Sequence, residues 1–262
     1  MITLRALPVL EDNYIWVLGR DDGSAIIVDP GEAAPVLAEM KNGLRPVAIL
    51  VTHHHPDHIG GISAILAACP VPVYAPLDTR IPIADHRVSD GDEIAIASMD
   101  LRIRVIGVPG HTSSHVAYYD GERLFCGDTL FSLGCGRLFE GTPAQMLAAL
   151  DQFCVLPQTT IVCCTHEYTA ANARFASVVD PQNESLRERV EEVAALRHEG
   201  LPSLPTTIAI ECACNPFMRI DSASVREAVA VHTGGDSDDR VARFAALRRW
   251  KDGFTVNASL GT

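Results

Sequence analysis

The feature that most constrains this chain is residues 52–58, Thr-His-His-His-Pro-Asp-His, which carry four imidazoles and one carboxylate. They follow an unbroken apolar run at residues 47–51, typical of a buried parallel strand, and they precede an apolar helical pattern. Candidate ligands therefore stand at the carboxyl end of a strand, where open α/β architectures place their sites. A polar loop or a tag fragment is the alternative, but a tag is not expected between a strand and a helix. Because imidazole and carboxylate are usual ligands of zinc, iron and manganese, the stretch predicts a metal site.

The spacing within this loop indicates that it serves two adjacent cations. His53 and His55 are two residues apart on extended chain and point the same way. His54 points in the opposite direction, and we do not expect it to be a ligand. Asp57 and His58 follow the proline turn, so they can face a second ion.

Three later apolar runs also end in a possible ligand, namely His111, Asp128 and His166. Each alone is a weak signal, but strands of one sheet lie side by side, so we expect the four strand ends to meet. The predicted ligands are His53, His55, Asp57, His58, His111, Asp128 and His166. Seven are too many for one tetrahedral ion and suit two metals that share a carboxylate.

Because four of these ligands lie on one short loop, the sequence predicts how the ligands are shared between the two ions. We expect Asp128 to bridge two groups, which are His53, His55 and His111 for one ion and Asp57, His58 and His166 for the other. His115 lies in a helix-capping context and is expected to be a hydrogen-bonding neighbour. Asp29 ends an apolar strand, and it is either a second partner of a ligand histidine or an ordinary turn carboxylate.

Short apolar runs predict the surrounding elements. Three strands joined by turns are expected before residue 29, and a helix is expected over residues 33–40. Residues 81–92 are predicted to form a loop. His86 inside it has no second candidate ligand nearby, so it is not expected to bind a metal.

Composition narrows the function. The chain has 262 residues, of which 47% are hydrophobic, and this permits one large domain or a main domain with an appendage. A net charge of -12 disfavours nucleic acid as a partner. No apolar run is long enough to span a bilayer and no leader pattern is visible, so we expect a cytoplasmic protein without membrane partners. Eight cysteines without a Cys-x-x-Cys pair indicate reduced thiols.

The carboxyl-terminal part changes to helical periodicity. Helices are predicted over residues 183–198 and 238–250, and Ser224 with Glu227 predicts a capping box between them. Arg248 and Lys251 continue the apolar face of the last helix, so an anionic ligand is expected there. The alternative is that both cations only interact favourably with the helix dipole.

Four motifs resemble the metallo-β-lactamase superfamily: Thr52-His53-x-His55-x-Asp57-His58, Gly110-His111-Thr112, Gly127-Asp128-Thr129 and His166-Glu167-Tyr168. The resemblance implies an α/β (α+β) fold, an αββα sandwich of two mixed sheets. Four further stretches resemble the glyoxalase II, or hydroxyacylglutathione hydrolase, family within it: Gly127-Asp128-Thr129-Leu130-Phe131, Gly134-Cys135-Gly136-Arg137, Asn215-Pro216-Phe217-Met218-Arg219 and Arg248-Arg249-Trp250-Lys251-Asp252.

This second resemblance implies a reaction and a domain division. The reaction is hydrolysis of S-D-lactoylglutathione to glutathione and D-lactate, the second step of methylglyoxal detoxification. Residues 1–168 are expected to form the metal-binding catalytic domain and residues 169–262 a helical glutathione-binding domain. The implied substrate contacts are Arg137, Phe139, Tyr168, Arg248 and Lys251. Two of these depart from the family pattern, because Arg137 replaces a Lys and Phe139 replaces a Tyr.

The predicted chemistry is attack on the thioester by a hydroxide formed from water between two divalent ions, zinc first, with iron or manganese as alternatives. Asp57, His58 and Asp128 are the predicted catalytic residues. A monomer that binds a small glutathione thioester is expected. The competing hypotheses are a glutathione persulfide dioxygenase with one iron, and a metal-binding module without catalysis.

Overall fold

Two six-stranded β-sheets form the centre of the fold in the computed structural model, which describes residues 2–235 and 237–255. The first sheet contains, in chain order and side by side, β1 (Ile2–Val9), β2 (Asn13–Arg20), β3 (Ser24–Val28), β4 (Arg45–Leu50), β5 (Val73–Pro76) and β6 (His86–Val88). The chain continues with β7 (Glu93–Ile96), β8 (Leu101–Gly107), β9 (Val116–Tyr119), β10 (Arg123–Gly127), the separate hairpin of β11 (Leu130–Phe131) and β12 (Gly134–Cys135), then β13 (Ile161–Cys164) and β14 (Thr206–Thr207). In the second sheet β14, β13, β10, β9, β8 and β7 are neighbours in that order.

Both sheets are mixed, as the resemblance implied. In the first sheet β1, β2 and β3 are antiparallel, whereas β3 to β6 are parallel. In the second sheet only β10 and β13 pair in parallel. The predicted sandwich and the α/β class are therefore confirmed.

Alternating side chains bury both faces of the first sheet. On β2, Trp16 and Leu18 join a core that also holds residues of the second sheet, such as Val105. Ile15 and Val17 face the other way, into a core that includes residues of two outer helices. This period of two is the property that places the sheet between a second sheet and a helical layer.

Nine helices of the described residues cover the sheets: α1 (Ala34–Lys41), α2 (Pro56–Ile59), α3 (Ile62–Ala68), α4 (Pro143–Cys154), α5 (Thr169–Val179), α6 (Glu184–His198), α7 (Ile208–Cys214), α8 (Ala223–Thr233) and α9 (Arg240–Asp252). Within residues 2–235 and 237–255, no helix combines the length and apolar character needed to cross a bilayer.

One prediction about the sheets is wrong. The four strand ends that carry candidate ligands do not belong to one sheet, because β4 lies in the first sheet and β8, β10 and β13 lie in the second. The ends still meet, since the sheets pack face to face and exchange hydrogen bonds along one edge. There the amide of Val116 donates to the Thr52 carbonyl at 3.1 Å, and the amide of Tyr14 donates to the Thr165 carbonyl at 2.7 Å.

Three local predictions also need correction. The cap of α8 is Ser222, whose extended backbone lets its hydroxyl accept from the Val225 amide at 3.4 Å, so Ser224 lies inside the helix. The last helix starts and ends two residues later than predicted, because Asp239 is its N-cap. Residues 81–92 include the short strand β6, whose His86 stacks on Tyr74 and lies away from the metal candidates.

Candidate metal centre and substrate pocket

The loop at residues 52–58 leaves β4 on extended backbone and turns into α2. His55 caps α2 with φ −63° and ψ 145°, and the next residue is the proline at the first helical position. His53 and His55 consequently project to one side, with 2.9 Å between Nε2 of His53 and Nδ1 of His55. His54 projects away, and its ring nitrogens lie 3.6 Å from Asp78 and 3.7 Å from Glu140. The loop thus has the two-sided arrangement that its sequence predicted.

The first group of ligand candidates is completed from the second sheet. His111 follows β8, and its Nε2 lies 3.0 Å from Nδ1 of His55. His53, His55 and His111 each offer one nitrogen, and these atoms lie within 4.8 Å of one another. They form the three-imidazole group that the sequence predicted for one ion.

The second group combines both sides of the sandwich. Nε2 of His166, after β13, lies 3.4 Å from Oδ2 of Asp57, and Nε2 of His58 lies 3.5 Å from that same oxygen. Asp57, His58 and His166 again place one ligand atom each within 4.8 Å of the others.

Asp128, at the end of β10, stands between the two groups. Its Oδ1 lies 3.3 Å from Nε2 of His58 and 3.4 Å from Nε2 of His166. Its Oδ2 lies 3.4 Å from Nε2 of His111. One oxygen therefore faces each group, which is the arrangement expected of a bridging carboxylate.

Fixed acceptors orient three of the imidazoles by receiving a proton from the outward nitrogen. The pairs are His58 Nδ1 to Asp29 Oδ2 at 3.0 Å, His111 Nδ1 to the Arg137 carbonyl at 2.9 Å, and His166 Nδ1 to Asp12 Oδ1 at 2.7 Å. A neutral ring that donates from Nδ1 keeps the lone pair on its inward Nε2. These rings are thus presented as metal ligands.

The candidate ligand atoms that face the interior of the cluster are mostly acceptors, so they are better suited to bind cations than to hydrogen-bond with one another. The Thr52 hydroxyl gives its proton to Asp29 at 2.7 Å and can accept from Nδ1 of His53 at 3.1 Å, which leaves a lone pair on Nε2 of His53. Nε2 of His53 and of His111 then both face Nδ1 of His55, which has one proton at most. Nε2 of His58 and Oδ1 of Asp128 are buried without a well-formed hydrogen bond to any described residue. Buried polar atoms are normally hydrogen-bonded or metal-bound, so this donor set fits divalent cations.

The local electrostatics keep His53, His55 and Asp128 in their metal-binding forms. Burial lowers the pKa of His53 well below its ordinary value and, with His111 nearby, lowers the pKa of His55 to about 4. Burial acts to raise the pKa of Asp128, but His166 and His58 outweigh it and hold that pKa well below its usual range. Neutral imidazole and ionised carboxylate are the forms that bind metal. Burial also acts to lower the pKa of His58 and of His166, but the Asp128 carboxylate outweighs it and raises both pKa values, so a metal ion has to displace a proton from these two rings.

Two predicted supporting residues are confirmed. Asp29 accepts from the Thr52 amide at 2.8 Å as well as from His58, so it ties the metal loop to β3. His115 accepts from the Asp128 amide at 3.1 Å and stacks on His53, although it lies on the loop directly before β9 and not on a helix. Between them, Gly127 has φ +48°, and a Cβ there would lie 2.4 Å from the Thr52 hydroxyl. Only glycine fits this approach.

Sequence reasoning missed Asp12 and Asn13. Asp12 orients His166, and Nδ2 of Asn13 donates to Oδ2 of Asp57 at 3.0 Å. Asp12 precedes β2 and Asn13 begins it, whereas the predicted ligands all follow strand ends. A polar pair directly before an apolar strand was the available signal.

A cavity of about 450 Å³ opens beside the cluster. His111 and Asp128 line it together with all five residues that the family resemblance implied as substrate contacts: Arg137, Phe139, Tyr168, Arg248 and Lys251. Tyr168 stacks on His166 at 4.7 Å between ring centroids, and Phe139 is 62% exposed. Cys135 and Asn172 also line the cavity and were not predicted.

Of the two α9 residues that were predicted to meet an anion, Arg248 has hydrogen-bonding partners within the chain. Arg248 is buried, donates to the Cys135 carbonyl at 2.7 Å and lies 3.1 Å from Asp252. Burial, then the charges of Arg248 and Arg137, lower the pKa of Lys251. The predicted anionic partner of Arg248 is thus supplied in part by Asp252, while a concentration of positive charge remains at the cavity.

Comparison with known families covers nearly the whole chain. Residues 10–196 match the family described as metallo-beta-lactamase superfamily, and residues 167–254 match the one described as hydroxyacylglutathione hydrolase C-terminus. A curated relative from Stenotrophomonas maltophilia (strain R551-3), named hydroxyacylglutathione hydrolase, is 52% identical over 252 residues. That alignment spans 96% of this chain and 98% of the relative.

Solved structures show the same fold. The crystal structure of BLEG-1 B3 metallo-β-lactamase covers 82% of this chain and 99% of its own, with a TM-score of 0.64 and 26% identity. The protein TTHA1623, crystallised in a di-iron-bound form, covers 82% of this chain and 99% of its own, with a TM-score of 0.58 and 25% identity.

Proposed function

Since the chain belongs to the hydroxyacylglutathione hydrolases, a family of the metallo-β-lactamase superfamily, we propose that it hydrolyses S-D-lactoylglutathione to glutathione and D-lactate. One observation carries the proposal. A single cavity is lined both by His111 and Asp128 of the ligand cluster and by the cations Arg248 and Lys251. Hydrolysis of a thioester attached to an anionic peptide requires both the ligand cluster, for the reaction, and the cations, for binding of the peptide.

Two divalent cations fit the cluster. His53, His55 and His111 would hold one, Asp57, His58 and His166 would hold the other, and Asp128 would touch both. Nitrogen and oxygen ligands favour zinc, with iron and manganese as the alternatives. When bound, such a pair supplies Lewis acidity and lowers the pKa of a water from ~15.7 to about 7.

The chain's own residues keep the ligands in register. Asp29 and Asp12 hold the outward protons of His58 and His166, and the Arg137 carbonyl holds that of His111. Asp57, His58 and Asp128 are the residues that we assign to the reacting centre. Asp57 and His58 follow β4 of the first sheet and Asp128 follows β10 of the second, so the reacting centre is built from both sheets.

Glutathione binding follows from charge. Glutathione carries two carboxylates, which the guanidinium forks of Arg248 and Arg137 and the ammonium of Lys251 can receive. Burial, with the nearby carboxylate of Asp12, raises the pKa of Tyr168, so its hydroxyl stays protonated and can donate to the peptide. Phe139 offers an apolar surface and no such donor.

The leaving group explains why no further acid is required. A thiol has a pKa of ~8.5, so its anion departs far more easily than an amine. The cavity therefore has to bind, orient and exclude water, and it does not need a general acid aimed at sulfur.

We propose that the two successive parts of the chain have different roles. Residues 1–168 supply every candidate metal ligand, and residues 169–262 supply Arg248 and Lys251; the last seven residues, 256–262, lie outside the described part. The later region is not isolated, because β14 adds to the second sheet beside β13.

A panel assay tests the function. We expect turnover of acylglutathione thioesters, no turnover of a lactone or a β-lactam, two ions per chain in the same sample, and no oxygen uptake. A persulfide dioxygenase would contain one iron and consume oxygen, and it would leave one of the two ligand groups unused. Absence of thioester turnover by the metal-loaded protein would overturn the proposal.

A further inference from the structure

Glu211 on α7 is a buried carboxylate that the proposed reaction does not use. Its side chain is completely inaccessible to solvent, and burial raises its pKa. It accepts four hydrogen bonds from neutral groups: Oε1 from the hydroxyls of Ser132 and Thr206, each at 2.8 Å, and Oε2 from the Leu133 amide at 2.8 Å and Asn215 Nδ2 at 3.0 Å. A carboxylate is costly to bury without a cation, so four well-placed donors at this depth suggest a specific task.

Two of these bonds, from Ser132 and Leu133, come from residues 129–136, which we call the active-site hairpin and which include β11 and β12. Asn215 donates from the same nitrogen to the carbonyls of Phe131 at 3.2 Å and Gly134 at 2.9 Å. Asn172 donates to the Ser132 carbonyl at 3.0 Å. The back of the hairpin is therefore held by side chains of α5 and α7, from the region beyond residue 168.

The front of the same hairpin meets both halves of the proposed site. Asp128 directly precedes it, and the Arg137 carbonyl that orients His111 directly follows it. The Cys135 carbonyl within it accepts from Arg248. The closure is tight, because a Cβ on Gly136 would lie 1.9 Å from the Asp128 carbonyl. A displaced hairpin would move the bridging ligand candidate and the glutathione-binding guanidinium together.

We propose that Glu211 is a positioning residue, which fixes the active-site hairpin from behind so that Asp128 and Arg248 keep the places that metal and glutathione binding require. This inference rests on the proposed function. It assigns to the buried carboxylate a coupling between the helical region and the metal cluster.

Two substitutions on the same carboxylate oxygen form a matched pair. Ser132→Ala and Thr206→Val each remove one hydroxyl donor to Oε1, but only Ser132 belongs to the hairpin. We expect Ser132→Ala to weaken zinc retention in chelator competition and to raise KM for S-D-lactoylglutathione, each by about fivefold. Thr206→Val should lower the melting temperature, but zinc retention and KM should both stay within about twofold of the wild-type values.

Glu211 itself supplies the stronger test and its own rescue. Glu211→Ala should lower zinc affinity by about tenfold or more, as loss of a supporting partner commonly does. Glu211→Gln should restore it, because the amide oxygen can face the two fixed donors, Leu133 and Asn215, while the amide nitrogen donates to the two hydroxyls. Asp180→Ala is the control for buried-carboxylate loss, since Asp180 binds Arg219 and Asn183 away from the hairpin.

The outcomes separate positioning from mere stability. The proposal is wrong if Ser132→Ala and Thr206→Val change zinc affinity and KM equally or not at all, and this pair decides the matter if Glu211→Ala is insoluble. It is equally wrong if Glu211→Ala loses only melting temperature, as Asp180→Ala should. A wild-type protein that binds zinc but does not hydrolyse the thioester would overturn the proposed function, and the zinc measurements would still decide the role of Glu211.

Discussion

Nδ2 of Asn13 lies 3.0 Å from Oδ2 of Asp57, so the first residue of β2 directly holds a ligand candidate of the metal loop. The contact joins residues 44 positions apart in sequence. It is accompanied by a backbone bridge between Asn13 and His166, which brings a second ligand candidate to the same place. The group formed by Asp57, His58 and His166 is therefore organised from the start of the chain.

Asn13→Ala should weaken one ion site more than the other. Without the amide donor, Asp57 loses the bond that fixes its orientation, whereas His53, His55 and His111 are untouched. We expect an affinity loss of about tenfold at the second site only. Metal content after dialysis against graded chelator should fall from two ions per chain to one at a lower chelator concentration than in the wild type.

Asn183→Ala is a suitable control, because Asn183 caps α6 and has no contact with the cluster. It should lower thermal stability without changing the order or the affinity of metal loss. Simultaneous loss of both ions in Asn13→Ala, at the wild-type chelator concentration, would contradict the assignment of Asn13.

Asp128→Asn should affect both ions at once. The substitution keeps the size of the side chain but removes the charge that faces both histidine groups. We expect loss of metal and a fall in thioester turnover of roughly a hundredfold or more. Metal analysis and kcat on the same preparation, with circular dichroism to verify folding, make the measurement.

Asp120→Asn provides the comparison, since Asp120 lies in the connection between β9 and β10, at the opposite end of β10 from Asp128, and binds Arg123 there. Full activity of Asp128→Asn with two bound ions would refute the bridging role.

The ligand cluster could be predicted because each strand end is a local signal. An apolar run followed by His or Asp marks such an end whatever its neighbours are, and His111, Asp128 and His166 each follow such a run. Which sheet a strand joins depends on long-range pairing. The apolar pattern of residues 47–51 is compatible with a strand in either sheet, so it does not identify the sheet. The single-sheet prediction therefore failed, although the predicted ligand side chains do lie together.

Supporting groups were harder to predict than ligands. No periodic sequence pattern marks Asp12, Asn13 or Glu211. Each forms a hydrogen bond with a residue more than 40 positions away in sequence. The helix caps show the same limit at short range, since Ser222 and Ser224 are chemically equal and only backbone geometry selects Ser222.

Arg248→Gln should raise KM with little change in kcat. Arg248 is buried at the cavity, and a charged hydrogen bond to a substrate carboxylate is worth about 1.5–3 kcal/mol, which corresponds to roughly ten- to a hundredfold in affinity. An unchanged kcat would indicate that the interaction serves ground state and transition state alike. Steady-state kinetics with S-D-lactoylglutathione measures both.

Arg249→Gln is the matched control on the same helix, because Arg249 is adjacent in sequence but exposed and absent from the lining of this cavity. Equal effects of the two substitutions on KM would show that general positive charge, and not the position of Arg248, binds the substrate.

Glu211→Gln should change how stability depends on pH. Burial raises the pKa of Glu211, so the folded protein holds this proton more tightly than the unfolded chain does. Its contribution to stability is fully present below the ordinary glutamate pKa of ~4.3 and is lost as the pH rises towards the folded-state pKa. Glutamine has no such proton. The free energy of unfolding of Glu211→Gln, relative to wild type, should therefore increase from about pH 4 to pH 7 in urea titrations with chelator present.

Glu140→Gln should show the opposite sign and serves as the internal control. Hydrogen bonds from Arg80 lower the pKa of Glu140 to about 2, so its contribution is present above about pH 4.5 and is lost as the pH falls through 2. Relative to wild type, Glu140→Gln should then become less stable as the pH rises from about 2 to about 4.5. If the two variants differ from wild type by amounts that do not change with pH, neither carboxyl titrates differently in the folded and unfolded states, and Glu211 would have to be a charge fully satisfied by its four donors.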